Sequence, residues 1–174
     1  MITAVTPTSA ARRTDAISLL CADHARLAGL FETFETLTGN VTKKAYLAKL
    51  ICMEIKLHSQ VEEEVFYPAA SAAIGDPSIL DEDADMHSFG KQLTRELDRM
   101  PPDDPQFDTR MRMLGKYLRH HSEIEQREIF SKVMKAGIDL KELGLRILRR
   151  KDELIGDHER ALALQIQYGL GMKA

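Results

Sequence analysis

Apolar residues recur at three- and four-residue intervals through most of the chain, the spacing that lines one face of an α-helix. One stripe runs through Ile17, Leu20, Cys21, His24, Leu27, Phe31 and Phe34, and a second through Leu47, Leu50, Ile51, Ile55, His58, Val61, Glu62 and Val65. A third, weaker stripe has Leu80, Ala84, His87, Leu93, Leu97 and Met100, and a fourth Phe107, Met111, Leu114, Leu118, His121, Ile124, Glu125 and Ile129. Turn formers separate them: Gly39-Asn40, Gly75-Asp76-Pro77, the run from Pro101 to Pro105, and Gly137 with Asp139. Asp76 and Asp104, each before a proline, read as helix N-caps, and Asp139 with Glu142 reads as a capping box built on Asp. Pro68 is expected to end or kink the second helix, leaving AASAAIG as a trailing turn. Strand signals are absent from this region, and four long amphipathic helices with short connections predict an all-α, up-down-up-down antiparallel four-helix bundle. An additional C-terminal helix is expected over about 139–155, with Leu140, Leu143, Ile147, Leu148 and Leu154 on one side. The tail LALQIQYGLGM after Gly156 carries no clear period. The chain thus divides into a flexible N-terminal segment (1–13), the bundle (14–136) and a helical extension (137–174).

The stripes contain residues that a core should reject. In HSQVEEEVFYP, residues 58–68, His58 and Glu62 stand four apart and share the apolar face. His24 and His87, His58 and His121, and Glu62 and Glu125 are each separated by the same 63 residues, and HSQVE reappears as HSEIE. With 6 histidines in 174 residues, one shared offset for three pairs points to two helical hairpins in tandem rather than to chance. Packed face to face, such hairpins would gather four imidazoles and two carboxylates in one interior. A buried carboxylate without a partner costs several kcal/mol or shifts its pKa until it is neutral. Two of them together add repulsion, which a pair of cations removes.

Imidazole and carboxylate without thiolate suit iron or manganese and disfavour a structural cysteine-type zinc site. His120 and His158 do not join the repeat and are expected to be exposed, His158 near a helix start. Tyr117, one turn before His121, is a candidate to donate a proton or hydrogen bond to a bound species. The net charge of −3 offers no basic footprint for nucleic acid. No segment reaches the length of a membrane span, and MITAVTPTSAARR lacks the apolar run of a secretory signal. Cys21 and Cys52 form no CxxC and read as reduced thiols, so a cytoplasmic location is expected.

From about residue 14 to 135 the paired His-x-x-x-Glu motifs resemble the hemerythrin-like, or HHE cation-binding, domains. The resemblance implies two irons, one served by His24 and His58 and the other by His87 and His121, with Glu62, Glu125 and an oxo or hydroxo group bridging them. Manganese or zinc could substitute. Oxygen-carrying hemerythrins have a further histidine where this chain has Lys91, and an aspartate where it has Gln126. The more symmetric, four-histidine pattern argues against simple oxygen carriage. It is similar to members linked to peroxide decomposition, nitric oxide handling, iron–sulfur repair and iron sensing, although the cysteine-bearing module of the repair proteins is missing.

Other bundle chemistries fit less well. Ferritin-like sites use Glu-x-x-His, and none of the six histidines has a glutamate three residues before it. Covalent haem would require CxxCH, which is absent, and a phosphotransfer bundle needs one exposed histidine rather than four on apolar stripes. The expectation is a non-haem di-iron protein that reacts with hydrogen peroxide, oxygen or nitric oxide, a peroxidase- or catalase-like oxidoreductase if it turns over. The alternative is a non-catalytic iron or oxygen sensor. The C-terminal helix could join two copies in a homodimer.

Overall fold

The computed structural model describes the backbone of residues 15–171, and the side chains of 15–78 and 86–160. Residues 1–14 and 172–174, the side chains of Leu80 and Ala84 of the third stripe, and the side chains of the tail from 161 lie outside this set.

The first helix, α1 (Ala16–Thr36), starts at Asp15, whose carboxylate accepts the Ser18 N–H at 3.0 Å. Asn40 does the same for α2 (Val41–Val61) through the Lys43 N–H, which satisfies a donor the helix itself cannot. The second rod continues through one π turn (Glu62–Phe66) into α3 (Tyr67–Ile74) and stops at Gly75. Gly75 sits in the left-handed region at φ 74°, and its N–H closes on Ser71 O. Next come α4 (Ser78–Arg99) and α5 (Phe107–Ile124). A second π turn (Glu125–Ile129) leads into α6 (Phe130–Lys135). The last helix is α7 (Leu140–Gly171), with the Lys141 and Glu142 N–H groups bonded to Asp139 Oδ1.

The rods close into an antiparallel bundle: α1 packs on α2 and α5, and α4 packs on the other sides of α2 and α5. On the outside, α7 lies against α1, α2 and the first π turn. The predicted stripes face inward. Leu20, Leu27, Phe31, Ile51, Ile55, Leu93, Met111, Leu114 and Leu118 are all buried. Two apolar clusters result. One spans Leu27 to Phe34 with Ile55, Leu93 and Leu118, and the other holds Ala16, Leu20, Val61, Val65, Phe66, Phe130, Leu143 and Ile147. The last two come from α7, so this helix completes the second cluster.

Three expectations change. Pro68 does not stop the second rod, because the preceding π turn has already shifted the hydrogen-bond register: Tyr67 N–H bonds Glu62 O, five residues back, and the proline enters at the first turn of α3, where a missing N–H costs least. AASAAI is therefore helix rather than a trailing turn. Gly156 does not end α7, so His158 lies in mid-helix, exposed as expected but not at a helix start. Asp76 and Asp104 accept the Ser78 and Gln106 N–H groups, but each does so from a turn just ahead of the helix, with Pro77 and Gln106 as the half-helical residues.

Candidate metal centre

Between the two apolar clusters lies a layer of polar side chains: His24, His58, Glu62, His87, His121 and Glu125 are all buried. Each rod supplies its part because the helical period that buries Leu20 and Leu27 must also bury His24 between them, and likewise His58 and Glu62 between Ile55 and Val65. The two π turns begin at the two glutamates, Glu62 and Glu125, so the internal repeat seen in the sequence is also a repeat of backbone geometry. A π turn inserts one residue and re-aims the side chains at its start, and such turns concentrate at functional sites.

Glu62 lies at the middle of the layer. Its Oε1 is 3.1 Å from His58 Nε2 and 4.0 Å from His24 Nε2, while its Oε2 is 3.2 Å from His87 Nε2 and 3.5 Å from His121 Nε2. The carboxylate thus turns one oxygen to each pair of imidazoles. Glu125 Oε2 lies 3.3 Å from His24 Nε2 and 3.7 Å from His121 Nε2. His24 Nε2 and His58 Nε2 are 2.9 Å apart. Single ligating atoms of His24, His58, Glu62 and His121 all fall within 4.8 Å of one another.

Electrostatics favour a cation here. Burial pushes His24 down to about 3, reinforced by the neighbouring His58, so its imidazole is neutral and its lone pair available. Burial raises the Glu62 carboxyl, but His58, His121 and His87 outweigh this and hold it well below the usual carboxylate range. An ionised carboxylate with 0% exposure, faced only by imidazole rings, is a costly object in a protein interior. The donor set of imidazole nitrogens and carboxylate oxygens, buried and convergent, fits a cation.

Carboxylates also hold the outer edges of two rings. Asp23 Oδ2 is 3.4 Å from His58 Nδ1, and Glu63 Oε1 is 2.9 Å from His87 Nδ1. A hydrogen bond at Nδ1 fixes the tautomer and points the Nε2 lone pair inward. Tyr67, 1% exposed, donates its hydroxyl to Glu125 Oε1 at 3.0 Å. Sequence reasoning missed Asp23, Glu63 and Tyr67. Each lies beside a stripe rather than on it, although Glu63 and Tyr67 sit inside the motif HSQVEEEVFYP. Tyr117, which sequence reasoning did select, stacks its half-buried ring on His121 with centroids 6.0 Å apart and 20° between planes. His120 and His158 are exposed, away from the layer. Cys21 is half-buried and Cys52 buried, and both are free thiols.

A helical bundle whose buried middle presents nitrogen and oxygen donors is the architecture of a cation-binding bundle protein. The hemerythrin HHE cation-binding domain family matches residues 15–133, and the chain belongs to that family. Its fold is similar to the crystal structure of a hemerythrin HHE cation-binding domain-containing protein from Mycobacterium kansasii, with TM-score 0.74 and 22% identity over 86% of this chain and 92% of that one. A search of curated proteins found no match. Among the described residues, no helix is long and apolar enough to cross a membrane.

Proposed function

We propose that the buried layer holds two iron ions and that the protein reacts with a small oxidant, with hydrogen peroxide foremost and oxygen or nitric oxide as alternatives. His24 and His58 would serve one ion, His87 and His121 the other, and Glu62 and Glu125 would lie between them. The observation that carries this reading is the division of Glu62, whose two oxygens face two different pairs of imidazoles, at 3.1 and 4.0 Å for one and 3.2 and 3.5 Å for the other. Bound iron would supply reversible one-electron chemistry and open coordination positions for a small ligand. The chain's own residues set the conditions around it. Asp23 and Glu63 hold His58 and His87 with Nε2 turned inward. Tyr67 keeps a phenolic proton at Glu125 Oε1, and Tyr117 lays its ring beside His121. Apolar clusters flank the layer on both sides. Two free thiols fit a reducing, cytoplasmic setting.

The test is metal analysis of protein loaded anaerobically with ferrous iron, followed by peroxide consumption. Two irons per chain are expected, with loss of bound iron in Glu62→Ala and full retention in His158→Ala. A folded protein that retains no iron would overturn the proposal. Uptake of manganese or zinc in its place would overturn the iron assignment alone.

A further inference from the structure

The two carboxylates that orient histidines are each held in turn by a lysine, and the two lysines come from different parts of the molecule. Glu63 pairs with Lys91, one turn along α4 from His87 itself, so that relay is closed within the four-helix frame. Asp23 pairs with Lys151, which belongs to α7. The same Asp23 Oδ2 faces both Lys151 Nζ and His58 Nδ1. His58 Nε2 then faces Glu62 and His24. A helix outside the bundle therefore reaches the buried layer through a single carboxylate.

The internal repeat did not supply this arrangement twice. The position equivalent to Asp23 is Met86, that equivalent to Glu63 is Gln126, and that equivalent to Lys91 is Ala28. One chemical device, imidazole–carboxylate–ammonium, has been assembled from non-equivalent positions on the two sides of the layer. Each pair is neutral, so it orients a ring without adding net charge beside the centre. Lys151 and Asp23 are 16% and 23% exposed, sheltered enough for the pair to hold its geometry better than a solvated one.

We propose that Lys151 of α7 is a positioning residue of the metal centre: by fixing Asp23 it sets the tautomer and orientation of His58, and so its readiness to bind a cation. This rests on the reading of the layer as a metal site. The first readout needs no metal, however. In metal-free protein with ¹⁵N-labelled histidine, long-range ¹H–¹⁵N correlation should show His58 Nδ1 carrying a proton held toward Asp23, and Lys151→Met or Asp23→Asn should weaken or abolish that Nδ1 proton signal. The second readout is affinity for ferrous iron, measured anaerobically against a competing chelator. Both variants should bind about 10- to 100-fold more weakly, with Lys151→Arg restoring the tautomer and most of the affinity. Arg150→Met is the control. Arg150 joins α7 to the bundle through Glu64 and, among the described residues, pairs with glutamates rather than with a histidine, so it should leave both readouts unchanged. Unchanged tautomer and affinity in Lys151→Met would overturn the proposal, as would equal effects from Arg150→Met, which would reduce Lys151 to helix docking. If Lys151→Met does not fold, Lys151→Gln, which keeps a polar end without the charge, is read in the same way. Wild-type protein that binds no iron would defeat the functional reading, while the tautomer would still decide the role of Lys151.

Discussion

At the scale of single residues, the centre places side chains that water would normally keep, and its acid sensitivity should follow. His24 titrates near 6.5 in an unfolded chain but only near 3 in the fold, so between those values the unfolded state takes up the proton and the folded state does not. Its contribution to stability is therefore complete above pH 6.5 and falls as pH drops toward 3, by up to about 1.4 kcal/mol per pH unit. The depressed Glu62 acts in the same direction, contributing above its ordinary value of 4.5 and losing that contribution below it. The urea midpoint of the metal-free protein should fall steadily from pH 7 to pH 5, and His24→Gln should flatten that slope. A wild-type midpoint constant across this range would contradict the account.

At the scale of elements, the register of the helices decides which side chains reach the layer and how near the rods approach. The π turns at Glu62 and Glu125 allow a histidine and the glutamate four residues on to converge while the helix continues. Where α4 meets α5, Gly90 lies directly against Tyr117, and a Cβ built there would stand 2.6 Å from the ring. No rotation of an alanine methyl relieves that overlap, so Gly90→Ala must move the Tyr117 ring or part the helices. The expected cost is about 1–3 kcal/mol in chemical denaturation, with an altered aromatic signal from Tyr117. Alanine in mid-helix also gains about 1 kcal/mol over glycine, so an unchanged stability would mean that moving the ring costs no more than that. The helices themselves were legible from the apolar period, and the caps read at Asp76, Asp104 and Asp139 fall within two residues of the observed starts, whereas the caps at Asp15 and Asn40 and the length of the last helix were not read. The π turns were not legible, because the helix after each runs only 8 and 6 residues, too short for a phase slip in the apolar stripe to show.

At the scale of the whole molecule, the bundle is two apolar clusters separated by a charged layer, and a cation in that layer would bind the folded state alone. Ligand that binds only the native state adds RT ln(1 + [L]/Kd), about 4 kcal/mol at a thousandfold excess over Kd. Removing metal with a chelator should therefore lower Tm by several degrees or more, and restoring ferrous iron should recover it. A Tm indifferent to metal would imply that the layer is stable by itself. α7 contributes Leu143 and Ile147 to the second cluster, so the C-terminal extension shares the core of the bundle.

The chain's order of residues was enough to determine the bundle, its inward faces and the six polar residues that share one layer. Helical period and an internal duplication are local signals, carried by spacing alone. What the sequence could not decide was which groups meet across helices. The contacts of Tyr67 with Glu125, Glu63 with His87, and Lys151 with Asp23 join positions 24 to 128 residues apart, and no local rule sets their distance. Those pairings depend on helix rotation, the π turns and the seat of α7 against the first two rods. They exist only once the chain has packed.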